Sequence, residues 1–204
     1  MITNRDEVLE NALRVFAKMN YEKASQVEIA KACGLSKAGL IYYYPFKLDL
    51  FVAVIDKYIF RMQMPENKFR LADAMSLAEF IDQFTADVNK TMQQVGRLLD
   101  DGNDPGGCSS NFYYLHLLMQ VRLYYPDVKE KMNSLFEEYY QLWNRVIRRA
   151  KESGEIKPDL DVEQTASTFQ HIFFGMSFEQ SFFSGLDVKE LSRKLQFIYS
   201  LLKA

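Results

Sequence analysis

The order Ser25, Glu28, Gly34, Ser36 constrains this chain more than any other feature of its sequence. A serine followed three residues later by a glutamate is a capping box, in which hydroxyl and carboxylate satisfy the free amides that open a helix. A helix is therefore predicted from about Gln26, with Val27, Ile29, Ala30 and Cys33 as its apolar stripe. Gly34 takes the left-handed backbone that ends it. Ser36 caps a second helix almost at once, with Leu40 and either Tyr43 or Tyr44 turned inward. Ala30 is small where the two helices cross, and Leu40 plugs the space beneath the second. Helices joined by so short a turn form a helix-turn-helix, whose second helix stands clear of the domain and can enter a DNA major groove.

The flanking sequence supplies what such a motif needs in order to fold. Thr3 or Asn4 caps an upstream helix with Val8, Leu9, Ala12, Leu13, Phe16 and Met19 on one face, ended by Asn20. Three helices are the smallest unit that buries Phe16, Ile29 and Leu40 together. Pro45 ends the second reader helix. Positions 46–64 then continue as a fourth helix through Phe51, Val54, Ile55, Tyr58 and Met62. A polar connection follows. Ser76 and Glu79 form another capping box, opening a helix whose apolar positions run from Leu77 through Phe84 and Val88 to Leu99. The glycine-rich stretch at 100–107 lacks the lysine and the preceding strand of a phosphate cradle and reads as a loop. From Ser109 or Ser110 to Tyr124 a helix is apolar nearly all round, which predicts a central position. Positions 127–153 form another long helix, and Asp161 and Asp187 cap the last two. No strand is required. The expectation is an all-α chain of about nine helices, with a three-helix DNA-binding domain at 1–47 and a ligand-binding and dimerisation domain at 48–204.

Charge supports this division. The 204 residues carry a net −2, yet residues 1–47 hold seven Lys or Arg against five Asp or Glu. The small basic excess therefore sits on the reader, and affinity for DNA must come from placed contacts presented twice. Cys33 and Cys108 make no disulfide framework. The amphipathic amino terminus is not a secretory signal, and no apolar run approaches the ~20 residues of a bilayer span. A cytoplasmic protein is expected.

The run 12–51 resembles the DNA-binding domain of the TetR family of transcriptional regulators, through Phe16, Tyr21, Ser25, Ile29, Ala30, Gly34, Ser36, Lys37, Leu40, Tyr43, Lys47, Leu50 and Phe51. Three positions depart from its pattern. Asn20 stands where glycine is usual, Ile41 replaces a frequent tyrosine, and Gly39 has no side chain to read a base. The resemblance implies a ligand-responsive regulator, a repressor that binds a palindromic operator as a homodimer. Lys37 and Tyr42 are the candidates for the major groove, with Ala38 and Gly39 allowing close approach. Ser36, Tyr43 and Lys47 are candidates for phosphates, and Ser25 joins them at the head of the first reader helix. The resemblance further implies an effector pocket between the middle helices. There Met92, Phe112, Tyr113, His116, Met119, Tyr139, Trp143, Phe169 and Phe173 form a lining suited to a small, largely apolar or aromatic molecule. The last two helices carry more apolar side chains than one core face requires. Phe174, Gly175, Phe178, Phe182, Leu195 and Tyr199 are accordingly the expected dimer interface.

Other chemistry finds little support. His116 and His171 sit singly on apolar helices without a clustered partner, so no metal or other cofactor is expected. Acids and histidines form no nucleophile or acid–base pattern. A small helical enzyme, or an adaptor that keeps the fold and binds protein instead of DNA, are the competing readings.

Overall fold

The helix starts follow their caps. The structure, a computed structural model, describes residues 4–69, 75–99 and 110–204. Thr3, the loop at 100–107, Cys108 and Ser109 lie outside the described residues. Asn4 accepts from the Glu7 amide and opens α1, Arg5–Met19. Ser25 and Glu28 form the reciprocal capping box of α2, Gln26–Ala32, and Ser36 accepts from the Gly39 amide to open α3, Lys37–Tyr43. Asn20 and Gly34 both take positive φ, at 72° and 64°, which lets the chain turn after α1 and α2. The remaining helices are α4 (Lys47–Ile55), α5 (Pro65–Lys68), α6 (Leu77–Leu99), α7 (Ser110–Tyr124), α8 (Val128–Glu152), α9 (Val162–Ser181) and α10 (Val188–Leu202). The fold is all-α, and the tenth helix beyond the expected nine or so is the single turn α5, which reads as polar connection in the sequence.

The chain divides into two units, residues 1–63 with 94–132 and residues 64–93 with 133–204. In the first, α1, α2, α3 and α4 enclose Val8, Ala12, Phe16, Ile29, Leu40 and Phe51, all fully buried. Tyr44, not Tyr43, is the aromatic residue turned inward after α3. Beyond Ile55 the fourth helix widens into a π-helical segment, Asp56–Arg61. This segment buries Tyr58, Ile59 and Phe60 in succession. The Tyr125 hydroxyl donates to Asp56 at this segment over 2.6 Å, and its ring meets Phe60 edge-on at 5.2 Å.

α7 is not central. Leu117, Gln120 and Val121 are buried, whereas Phe112, Met119 and Leu123, about half a turn round the helix, are exposed. Its buried side grips α1. His116 Nδ1 lies 2.7 Å from the Ala17 carbonyl, Gln120 Nε2 donates to Phe16 over 2.9 Å, and the Tyr124 hydroxyl donates to Glu22 over 2.6 Å.

The second unit packs α8, α9, α10 and the amino-terminal part of α6 around Trp143, Phe80, Phe84, Tyr139 and Phe169. Glu79 completes the expected capping box with Ser76, and Glu155 adds acceptors for the Leu77 and Ala78 amides. Asp161 and Asp187 each accept two amides at the heads of α9 and α10. No single helix among the described residues is long and apolar enough to cross a membrane.

Candidate nucleic-acid interface

The reader presents α3. Leu40 is fully buried and Tyr44 nearly so, which anchors one side of the helix. Lys37, Ala38, Ile41 and Tyr42 are exposed, Tyr42 at 85%. Two side-chain contacts hold the base of this face. Arg5 donates to the Tyr43 carbonyl over 3.2 Å and lies over the Tyr44 ring at 5.2 Å. Gln26 Nε2 donates to the Pro45 carbonyl over 3.1 Å, tying the start of α2 to the end of α3. Tyr42 meets Tyr43 edge-on at 5.6 Å.

One capping hydroxyl stays available to a phosphate. Ser36 accepts an amide hydrogen within its cap and leaves its hydroxyl hydrogen to be donated outward, whereas the Ser25 hydroxyl is engaged by Glu28. The Ser25 backbone and hydroxyl, bonded to Glu28, hold its carboxyl below the ordinary range, so the box stays ionised at neutral pH. Gly39 is not demanded by packing. The nearest atoms to a Cβ there would be Ser36 Oγ at 3.4 Å and Leu35 side-chain atoms from 3.6 Å outward.

Two sequence expectations need correction here. Lys47 has its ammonium on the Tyr21 carbonyl at 2.8 Å and over the Tyr21 ring at 4.3 Å, so it braces the reader and is not extended toward solvent. Val27 is 58% exposed, not part of the buried stripe. At 100° per residue it falls outside the arc shared by Ile29, Ala30 and Cys33, and that offset was legible in the sequence. Val27 thus adds an apolar side chain to the face beside α3. Exposed Phe46, at 69%, has no comparable helical pattern to reveal it.

The effector candidates fall in both units. Tyr139, Trp143, Phe169 and Phe173 converge in the second unit. Trp143 stacks on Phe169 at 4.8 Å, and Tyr139 stacks on Phe173 at 5.8 Å. Phe112, Tyr113, His116 and Met119 belong to α7 in the first unit, with Met119 53% exposed and His116 spent on α1. Met92, on α6, is half-buried. One residue of the aromatic cluster escaped the sequence reading altogether. Lys68 donates to the Tyr139 hydroxyl over 3.0 Å and lies 5.1 to 5.6 Å from the rings of Phe69, Tyr139 and Phe173. Among the described residues no three His, Cys, Asp or Glu side chains converge as metal ligands.

The apolar surface of the last two helices differs from expectation in its residues. Leu195 and Tyr199 are buried, because they share the arc of Leu191 on α10 and face the protomer's own core. Phe197 and Leu201, on the opposite arc, are 61% and 53% exposed. Phe178 and Phe182 are exposed as expected, joined by Phe183 at 73%. Gly175 is exposed with nothing near its missing Cβ, while Phe174 packs edge-on against Phe136 and Tyr139 at 5.2 and 5.1 Å.

Comparison with known proteins bears on both parts of the chain. Residues 8–54 match the family model of bacterial regulatory proteins of the tetR family, and residues 88–184 match that of the tetracyclin repressor-like C-terminal domain. The HTH-type transcriptional repressor ComR of Escherichia coli K12 is 24% identical over 181 residues, spanning 86% of this chain and 79% of ComR. Among solved structures, the TetR family transcriptional regulator PfmR from Thermus thermophilus aligns with a TM-score of 0.64 at 18% identity, over 98% of this chain and 96% of its own. AibR in complex with isovaleryl coenzyme A and operator DNA aligns with a TM-score of 0.62 at 20% identity, over 97% of each chain. At such identities the structural likeness shows the fold.

Proposed function

From the premise that this chain belongs to the tetR family of bacterial regulatory proteins, we propose that it is a cytoplasmic, ligand-responsive repressor that binds a palindromic operator as a homodimer. A small, largely apolar or aromatic effector releases it. The family is one of transcriptional regulators and not of enzymes, with a DNA-binding and a ligand-binding domain. In this reading residues 1–47 read DNA, and residues 48–204 bind effector and pair the protomers.

One observation carries the proposal: an outward face of Lys37, Ala38 and Tyr42 on a helix whose other side is locked by Leu40. Such a helix has rigid support and free side chains, which base-edge contact requires. Lys37 and Tyr42 are the groove residues. Ala38 and Gly39 admit close approach, with Val27 beside them. Ser36 and Tyr43 hold phosphates, and Lys47 acts from behind by fixing Tyr21. The AibR structure holds both isovaleryl coenzyme A and operator DNA, which supports the same division of labour here.

Dimerisation rests on Phe178, Phe182, Phe183, Phe197 and Leu201. Each leaves about 100 to 150 Å² of side chain in water, so together they expose about 500 to 750 Å², at or above the upper end for a monomer surface. A second copy seated on them brings burial toward the ~800 Å² per partner of a stable interface. Half-sites one DNA turn apart then match the twinned readers.

A mobility-shift and footprint assay on the DNA flanking the protein's own gene tests the reading. The expected result is a protected near-palindrome whose affinity drops at least tenfold for Tyr42→Ala. Absence of any sequence-specific shift refutes it.

A further inference from the structure

The two reader helices lack the side chains that recognise an A·T pair through its adenine. Adenine is read by the paired donor and acceptor of an asparagine or glutamine amide. Among the residues of α2 and α3, Gln26 is the one amide. It is half-buried and donates to the Pro45 carbonyl over 3.1 Å, turned toward the end of α3. Glu28, the one carboxylate, accepts from the Ser25 amide over 2.8 Å and closes the capping box. The exposed polar side chains that remain are Lys31, Lys37 and Tyr42, which suit the acceptors of guanine or of the backbone phosphates.

The same helices expose two branched aliphatic side chains. Val27 is 58% exposed and Ile41 37%, while Ile29 and Leu40 fill the core beneath them. Ile41 stands one turn from Lys37 and next to Tyr42, on the outward side of α3. Val27 follows Gln26, whose bond to Pro45 draws the head of α2 against the end of α3. At exposed helical positions β-branched residues are weaker helix formers than alanine, lysine or glutamate, so local structure does not ask for them. Their stiffness at χ1 gives each a fixed apolar surface to present. The apolar group that a duplex presents in its major groove is the C5 methyl of thymine.

We infer that Val27 and Ile41 read thymine methyl groups, one each per half-site, so that the protein recognises A·T pairs of its operator by apolar contact with thymine and not by hydrogen bonds to adenine. The inference rests on the DNA-binding reading above and adds the chemistry of the site that it selects. A phosphate gains nothing from either side chain. Cytosine in the thymine's place lacks the methyl and sets an amino donor against hydrocarbon, which leaves that donor without a partner.

Deoxyuridine differs from thymidine by the missing methyl alone, so it isolates the contact. The test takes the near-palindrome protected in the footprint, replaces its thymines with deoxyuridine one symmetric pair at a time, and measures affinity by fluorescence anisotropy. The expected result is two sensitive positions per half-site. Each should weaken the wild type about fifteenfold, because a symmetric pair removes two methyl groups from apolar contact at about fourfold apiece. Val27→Ala and Ile41→Ala change exposed positions to the best helix former, so circular dichroism should be unchanged. Each variant should bind the thymine operator more weakly, lose its sensitivity at one position and keep it at the other. An effect of the missing methyl on DNA shape would instead be equal in all three proteins. A flat deoxyuridine profile in the wild type, or a profile that either variant leaves unchanged, would overturn the methyl reading while specific binding upholds the regulator reading. Absence of any specifically protected site would overturn the regulator reading and this one with it.

Discussion

Replacing Lys37 with alanine separates charge from fold at the proposed DNA face. The side chain is exposed, the cap of α3 is made by Ser36, and alanine is the best helix former, so the reader keeps its structure. A dimer carries two copies, and each ammonium near the duplex displaces about one condensed counterion. Removing both should make the slope of log affinity against log salt shallower by about 1.8, at about 0.9 per charge. Between 50 and 200 mM salt the wild type should then lose about twelvefold more affinity than the variant. If the ammonium also meets a base edge, affinity at fixed salt falls by about 1 to 3 kcal/mol per half-site. Fluorescence anisotropy on a labelled operator at five salt concentrations measures both quantities. Tyr42→Phe is the matched control, since it removes a hydroxyl and no charge and should lower affinity without altering the slope. Parallel salt lines for wild type and Lys37→Ala would refute the placement of α3 against DNA.

Further outcomes follow from the other faces. Phe182→Asp combined with Phe197→Asp should convert the proposed dimer to monomer in light scattering while helix content is unchanged, because both rings are more than half exposed in the protomer. Lys68 makes stability depend on pH. Its pKa falls from 10.5 to about 7 on folding, so the unfolded chain binds more protons between those values and stability rises as pH climbs through that window. At about 1.4 kcal/mol per unit, reduced for the part of the side chain that water still reaches, the gain is about 3 kcal/mol. Urea unfolding of wild type and Lys68→Met at pH 7 and 10 should show that gain in the wild type alone. Burial pushes the Cys33 thiol up to about 11, so in a Cys108→Ser background the folded protein should resist iodoacetamide at pH 8 and react on unfolding.

Legibility in the sequence depended on whether a feature is local. Caps are short-range chemistry, and Ser25 with Glu28, Ser36, Ser76 with Glu79, Asp161 and Asp187 all open the helices expected of them. Direction around a helix is also legible wherever one arc is apolar. It failed on α10 because both arcs are: Leu191, Leu195 and Tyr199 face inward, and Phe197 and Leu201 face out. α7 misled for the same reason, since Phe112, Met119 and Leu123 imitate a core stripe on an exposed side. The π-helical widening at Asp56 has no sequence signature, and the buried run Tyr58, Ile59, Phe60 reads equally well as ordinary helix. Lys68 was missed because a lone lysine in a polar connection announces nothing until three rings close on it.

The contacts of α7 explain how so small a reader is held in place. A domain of three short helices buries too little surface to be firmly stable alone, and here its first helix is finished by a neighbour. His116, Gln120 and Tyr124, spaced four residues apart, place their polar atoms in a row along α7. Two of them meet last-turn carbonyls of α1, those of Ala17 and Phe16, the latter also accepting the Asn20 amide. The third bonds Glu22, and its ring stacks on Tyr21 at 4.6 Å, the residue whose carbonyl and ring hold Lys47. A shift of α7 along α1 would break these bonds together and withdraw the Tyr124 ring from Tyr21, the residue that holds Lys47 at the start of α4, with Tyr44, Pro45 and Phe46 between it and the end of α3. Three hydrogen bonds to partly buried groups amount to about 2 to 4 kcal/mol. That is the range in which an effector with a hundredfold preference for one arrangement shifts the population of the reader. On the proposed ligand-responsive reading, the grip on α1 is strong enough to order the reader and weak enough for one bound molecule to undo.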